Sequence, residues 1–249
     1  MSGTPKDVVA IVPAAGSSVR FGSGQSKLFT AVAGVSILRR TVLALAAVSA
    51  IRKIIVLSRS EDILLAGEAL VGIEGVEVRE GGAARRDSVR IGLEYALSSC
   101  GLQTTEYVIV HDGARCLISS ALLKRSLAEV RRAQAVTAAV PVVDTISFVE
   151  QKDGAACLLR TLDRSKLVAI QTPQVFRADL LLRAHSISHP ASHAPAAPHP
   201  ASYAEATDDA MLVIGFAAVH LVEGEATNIK VTRPIDVAIA EALLARESK

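Results

Sequence analysis

Apolar runs alternate with amphipathic stretches along most of this chain, and that alternation restricts the fold more than any other feature. Strands are expected at Val8–Val12, Lys53–Ser58, Val76–Glu80, Tyr107–His111 and Val136–Val140. Helical periodicity fills the gaps at Ser36–Val48, Glu61–Leu70, Arg85–Ser98 and Ser119–Ala133. Strands separated by helices pair in parallel through right-handed crossovers, so the expected fold class is α/β with a mainly parallel, doubly wound sheet. Hydrophobic residues make up 50% of the chain and aromatics only 3%, so Ala, Val, Leu and Ile must build the core. That palette suits parallel strands buried on both faces. Length alone allows one large α/β domain or two small ones at 249 residues; the continuous alternation favours one, spanning 1–249.

Two stretches depart from the alternation. Asp144 to Leu167 reads as a β-hairpin, Thr145–Gln151 and Ala156–Leu162 around Asp153-Gly154, because Asp-Gly between β-rich runs is a hairpin signal. No helix covers it, so it is expected to project as an arm (144–167) and pack on another subunit. His185 to Ala204 carries four of six histidines and four of nine prolines. Prolines prevent those histidines from sharing one helical face, so 185–204 reads as a surface insertion, not a metal site.

A net charge of +2 without a basic stripe argues against a nucleic-acid partner. The longest near-apolar run, Thr41 to Ile51, is too short to span a bilayer. The polar first residues do not form a signal peptide. Cys100, Cys116 and Cys157 lack metal-ligand spacing and cannot all pair; they read as buried free thiols of a cytoplasmic protein.

In an open parallel sheet, ligands bind beyond the carboxyl ends of the strands, and four loops with chemistry fall there. After the first strand, Pro13-Ala-Ala-Gly16 leads into a small-residue loop carrying Arg20 and Lys27. It lacks the Gly-Lys-Ser/Thr of a P-loop and the third glycine of a dinucleotide fingerprint. It fits a phosphate site or a tight βα turn. Gly81 and Gly82, with Arg85 and Ser88, follow the third strand, either admitting a ligand to the backbone or starting a helix with solvated arginines. His111-Asp-Gly-Ala-Arg115 ends the fourth strand. Its Asp112 and Arg115 can hold a metal-bound phosphate or a polyol hydroxyl, or form a structural pair. His111 reads as a strand-end histidine with a satisfied hydrogen bond. Lys230 is expected in or beside a short strand ahead of a helix at Pro234, where apolar neighbours make an anion partner the economical reason for a lysine. Asp208 and Asp209 read as helix-capping acids.

Six segments in order make the chain resemble the 2-C-methyl-D-erythritol 4-phosphate cytidylyltransferases. They are Pro13–Gly16 with Arg20 and Lys27, Gly81–Ser88, His111–Arg115, Val142-Val-Asp-Thr145, Gln171-Thr-Pro-Gln174 and Asn228–Pro234. The resemblance implies a Rossmann-like nucleotidyltransferase fold, a homodimer joined by the arm, and dependence on Mg2+ held mainly by CTP phosphates and water, with no protein metal ligands. It implies that Pro13, Ala14, Ala15, Gly16, Gly81, Gly82, Arg85 and Ser88 hold CTP. Asp112, Gly113, Arg115, Thr145, Arg164, Thr172 and Lys230 would face the polyol phosphate. Arg20, Lys27, Arg164 and Lys230 would carry the chemistry, with Thr145 and Arg164 supplied by the partner's arm. Ala83 and Cys116 depart from the usual family residues, as does the His/Pro insertion. A ribitol 5-phosphate cytidylyltransferase, which shares most of these loops, is the alternative.

Overall fold

The structure is a computed structural model, and it describes residues 7–16, 21, 26–104, 106–188 and 206–247. Its centre is a seven-stranded sheet. In chain order its strands are β1 (Val8–Pro13), β4 (Ile51–Ser58), β5 (Val76–Glu80), β6 (Tyr107–Val110), β7 (Ala135–Pro141), β10 (Val168–Arg177) and β11 (His220–Glu223). Across the sheet the order is β11-β7-β10-β6-β1-β4-β5. β1 pairs in parallel with both β4 and β6, and β4 with β5, as the alternating pattern requires. β10 runs antiparallel to both β6 and β7.

Burial on both faces is visible within β1 itself. Val8, Ala10 and Val12 join one apolar cluster, while Val9 and Ile11 join the other, because successive strand side chains point to opposite faces. The first cluster is closed by α1 (Ile37–Ala46), α2 (Ile63–Ala69), α4 (Ser120–Ala133) and α7 (Pro234–Glu247). α3 (Arg85–Ser99), α5 (Ala178–Ser188) and α6 (Asp209–Val213) close the second. Serine hydroxyls cap two of the first set: Ser36 accepts from the Arg39 N–H and Ser119 from the Leu122 N–H.

The expected hairpin forms as β8 (Ser147–Lys152) and β9 (Ala155–Thr161), paired only with each other in a separate two-stranded sheet. Asp153 and Gly154 both have positive φ, 52° and 80°, the backbone that a two-residue hairpin turn demands. A second small hairpin, β2 (Ala31–Val32) with β3 (Val35–Ser36), precedes α1.

The structure adds to these expectations and changes some of them. β10 is a central strand that the alternating pattern did not mark; it contains Gln171-Thr-Pro-Gln174, whose proline cannot donate to a ladder. The register shift between Gln171 and Gln174 resolves the conflict, placing Pro173 where the ladder asks for no donor. His185 does not belong to the insertion: it lies in α5 and is 2% exposed. The rest of that segment, 189–205, falls outside the described residues. Lys230 sits in irregular chain between β11 and α7, not in a strand, and the neighbouring Val231 N–H is held by the Ala114 carbonyl at 2.9 Å. The cysteines are free, but only Cys116 is buried; Cys100 and Cys157 are half-exposed.

Candidate active site

At the carboxyl edge of β1 a cavity of about 330 Å³ opens between three loops. Pro13 to Gly16 form one wall, Lys27 and Leu28 another, and 83–85 with Ser88 the third, while Asp112, Gly113 and Lys230 close the end. The first wall continues the sheet: the Ala14 N–H bonds to the Leu57 carbonyl at 2.8 Å, carrying the β1–β4 pairing one residue further. Arg20 lies outside the described residues. Lys27 opens a single 3-10 turn, Lys27–Phe29, capped by Ser26.

The Gly81-Gly82 loop turns directly into α3. A Cβ on Gly81 would sit 2.7 Å from the Ser88 Oγ, and one on Gly82 only 2.3 Å from the Asp87 Cβ, so close packing requires both glycines. Ser88, expected to face a ligand, is fully buried. Its hydroxyl accepts the Gly82 N–H at 3.1 Å and donates toward the Ala84 carbonyl. It lines the cavity and shapes the loop. Gly113 fits under Pro13, its N–H 3.4 Å from that carbonyl.

Asp112 is the electrostatic centre. Its Oδ1 accepts from Arg85 Nε at 3.0 Å, and its Oδ2 lies 3.0 Å from Lys230 Nζ and 3.5 Å from Arg115 Nε. Burial on its own would raise this carboxyl, but Arg85, Lys230 and Arg115 together hold it far below the usual range. Arg85 is therefore not a solvated helix-start arginine. Its Nη1 donates to Asp209 Oδ2 at 2.7 Å, and the two carboxylates, outweighing burial, keep it firmly protonated.

Asp112 is fixed from behind by a directional chain. Its N–H donates to Thr172 Oγ1, that hydroxyl donates to His111 Nδ1, and His111 Nε2 donates to the Arg115 carbonyl, at 3.0, 3.0 and 3.1 Å. Because a carbonyl only accepts, Nε2 carries the ring proton, and burial pulls the His111 pKa down to about 4, which leaves Nδ1 free to accept from Thr172. Arg115 in turn donates to the Asn228 carbonyl, and Asn228 to the Thr172 carbonyl, each at 2.8 Å. These bonds tie the Lys230 segment to β10.

A second cavity, of about 370 Å³, adjoins the first on the β10 side. Arg115, Thr172, Asp208 and Met211 line it, and Arg85, Asp112 and Lys230 line both cavities. Among the described residues, Pro13 to Gly16, Lys27, Arg85, Ser88, Asp112, Gly113, Arg115, Thr172 and Lys230 line one cavity or the other, Gly81 and Gly82 lie in the adjoining loop, and the arm pair stands apart. Thr145 is exposed, and Arg164 is held by the Val143 carbonyl at the base of the arm at 2.8 Å. Neither lines either cavity of the single chain.

Sequence reasoning undervalued Asp209. It is 1% exposed and bonded to Arg85, to His185 Nε2 at 3.0 Å, and through its N–H to Gln174 Oε1 at 3.0 Å. The available signal was a second acid after the capping Asp208, with a glutamine-rich motif otherwise unexplained.

The doubly wound sheet carries a small-residue loop and a second, cation-lined cavity at its carboxyl edge, where such sheets bind ligands, and comparison with known proteins makes the chain an α/β nucleotidyltransferase. The family profile described as 2-C-methyl-D-erythritol 4-phosphate cytidylyltransferase matches residues 8–246. An enzyme of that name from Nocardia farcinica is 40% identical over 243 residues, covering 97% of this chain and 95% of the relative. Among solved structures, that of 4-diphosphocytidyl-2C-methyl-D-erythritol synthase from Anaerococcus prevotii matches with a TM-score of 0.76 at 28% identity, covering 96% of each chain. The cytidylyltransferase from Thermus thermophilus gives 0.70 at 32% identity, covering 95% of this chain and 98% of the other. The chain belongs to the 2-C-methyl-D-erythritol 4-phosphate cytidylyltransferase family. The ribitol phosphate alternative is not favoured.

Proposed function

We propose that this chain condenses CTP with 2-C-methyl-D-erythritol 4-phosphate, giving 4-diphosphocytidyl-2-C-methyl-D-erythritol and pyrophosphate, in the non-mevalonate route to isoprenoid precursors. The observation that carries this reading is the pair of adjoining cavities with Arg85, Asp112 and Lys230 in their common wall. A nucleotide in the first and a polyol phosphate in the second would meet across that wall.

A phosphate oxygen of the polyol phosphate attacks the α-phosphorus of CTP in line. One P–O bond forms, the bond to the bridging oxygen breaks, and pyrophosphate leaves with its electron pair. The nucleophile is ionised at neutral pH, so no protein base is needed. Positioning and positive charge do the catalysis. Lys27 and Arg20 serve the triphosphate, with 13–16 and the Gly81-Gly82 backbone around it. Lys230 serves the attacking phosphate, and Asp112, accepting from several sides, is suited to polyol hydroxyls. Both Asp112 oxygens already face cations, and no cluster of three metal-ligating side chains occurs among the described residues. Magnesium would come with CTP, held mainly by its phosphate oxygens and water.

Thr145 and Arg164 reach the second cavity of a partner subunit in a homodimer built on the arm. Val143, Val149 and Leu158, 78%, 60% and 78% exposed, support that reading as apolar surface awaiting a cover. Three free thiols support a cytoplasmic setting. No helix among the described residues is long and apolar enough to cross a membrane.

The test is pyrophosphate release with each nucleoside triphosphate against methylerythritol phosphate and ribitol phosphate, with and without magnesium. Turnover is expected with CTP, methylerythritol phosphate and magnesium together; its absence there would sink the assignment. In the same assay Lys27→Ala is expected to raise the barrier by about 3–4 kcal/mol, the scale of losing one transition-state charge contact, with the fold intact by circular dichroism.

A further inference from the structure

We infer that His185 and Asp209 form a positioning device for Arg85, holding its guanidinium in the wall between the two cavities. The inference rests on the two-cavity reading above. Arg85 springs from the first residue of α3 and would otherwise swing freely in a long side chain's many rotamers. Two carboxylates remove that freedom: Nε is bound to Asp112 and Nη1 to Asp209. Nη2 has no partner among the described residues and is the donor left over in a residue that lines both cavities.

Asp209 can hold Arg85 only if Asp209 is itself held, and it is held twice. Its N–H and that of Ala210 converge on Gln174 Oε1 at 3.0 and 3.1 Å, while Gln174 Nε2 donates to Thr137 Oγ1 on β7. That anchors its backbone to the central sheet. Its Oδ1 accepts from His185 Nε2 on α5, leaving Oδ2 for Arg85. Since the ionised carboxylate only accepts, His185 must carry its proton on Nε2. His185 Nδ1 is buried with no hydrogen-bond partner among the described residues, and the bond to Asp209 orients the ring. Gln174 lies within Gln171-Thr-Pro-Gln174. One strand segment therefore fixes Asp112 through Thr172 and Asp209 through Gln174, the two anions between which Arg85 is stretched.

The test uses the full chain as wild type, His185→Phe, His185→Gln and Asp209→Ala. Thermal melts and circular dichroism accompany pyrophosphate release with CTP and methylerythritol phosphate varied separately. Wild-type turnover is the control that separates the two readings: without it the assignment of activity fails, and with it the variants judge Arg85 positioning alone. His185→Phe and Asp209→Ala are expected to stay folded and lose roughly tenfold or more in kcat/KM. His185→Gln, whose amide N–H can reach the Nε2 position, is expected within about threefold of wild type. Folded His185→Phe or Asp209→Ala with kcat/KM near wild type would overturn the inference, as would a His185→Gln no better than His185→Phe. Failure of both His185→Phe and Asp209→Ala to fold would assign the pair to stability and also overturn it.

Discussion

His111 shows how one residue's surroundings set its chemistry. Its two ring nitrogens are an acceptor and a donor within one chain, Thr172 to His111 to Arg115, and a second proton on Nδ1 would turn the Thr172 hydroxyl from donor to acceptor and charge a fully buried ring. The folded pKa of about 4 lies below the ordinary 6.5, so above pH 6.5 folded and unfolded chains are both neutral here and the contribution to stability is complete. As pH falls from 6.5 toward 4, only the unfolded chain takes up the proton, and about 3 kcal/mol of stability is lost. Asp112 and Asp209, held below their ordinary 3.8, keep their contribution above that value and lose it only at lower pH, so the windows separate. Denaturant unfolding between about pH 7 and about pH 5 checks this: wild type is expected to weaken steadily, and His111→Gln to vary less. Equal slopes would move the effect to another group. A satisfied strand-end histidine was legible from its place in the motif, but the direction of its bonds depends on Thr172, 61 residues away.

At the scale of elements, the loop from β5 into α3 turns on the space that glycine leaves. At Gly82 the obstacle is the first turn of α3, including the Asp87 backbone carbonyl carbon at 3.1 Å from an added Cβ, and helix backbone does not yield as a flexible side chain would. Gly82→Ala is therefore expected to push the loop outward, costing about 1–3 kcal/mol of stability as overpacking does and raising KM for CTP. An unchanged KM would separate this loop from the nucleotide. The elements differ in how plainly they are written. β1, β4, β6 and β7 appear as apolar runs because strands buried on both faces need apolar side chains on both, whereas edge strand β5 shows as alternation, Val76 and Val78 against Glu77 and Arg79. β10 is hidden because its middle serves the site: Gln171, Thr172 and Gln174 face other elements with polar groups, and the bulge accommodates Pro173. α5 is hidden as well, since the alternation did not mark it and His185 looks polar until Asp209 is placed beside it.

For the whole molecule, the arm raises the question of how many chains make one site. Thr145 and Arg164 stand on a hairpin that pairs only with itself, outside both cavities of its own chain. If a partner's arm completes each site, mixing Lys27→Ala with Arg164→Ala is expected to regenerate activity. A heterodimer contains one site with both residues intact, giving roughly a quarter of wild-type turnover when subunits exchange at random. Verified heterodimers with no more activity than either parent would count against arm exchange. By itself the sequence determined the sheet class, the hairpin with its Asp153-Gly154 turn, and the loops at the carboxyl edge, since periodicity and turn chemistry are local properties of the chain. The tertiary structure alone decided which charges meet. Arg85, Asp112, Asp209 and Lys230 are scattered across more than half the chain, and only the strand order, with antiparallel β10 seated between β6 and β7, packs them into one wall. Contacts between distant segments leave no periodic trace in a sequence, because each end satisfies local rules without reference to the other.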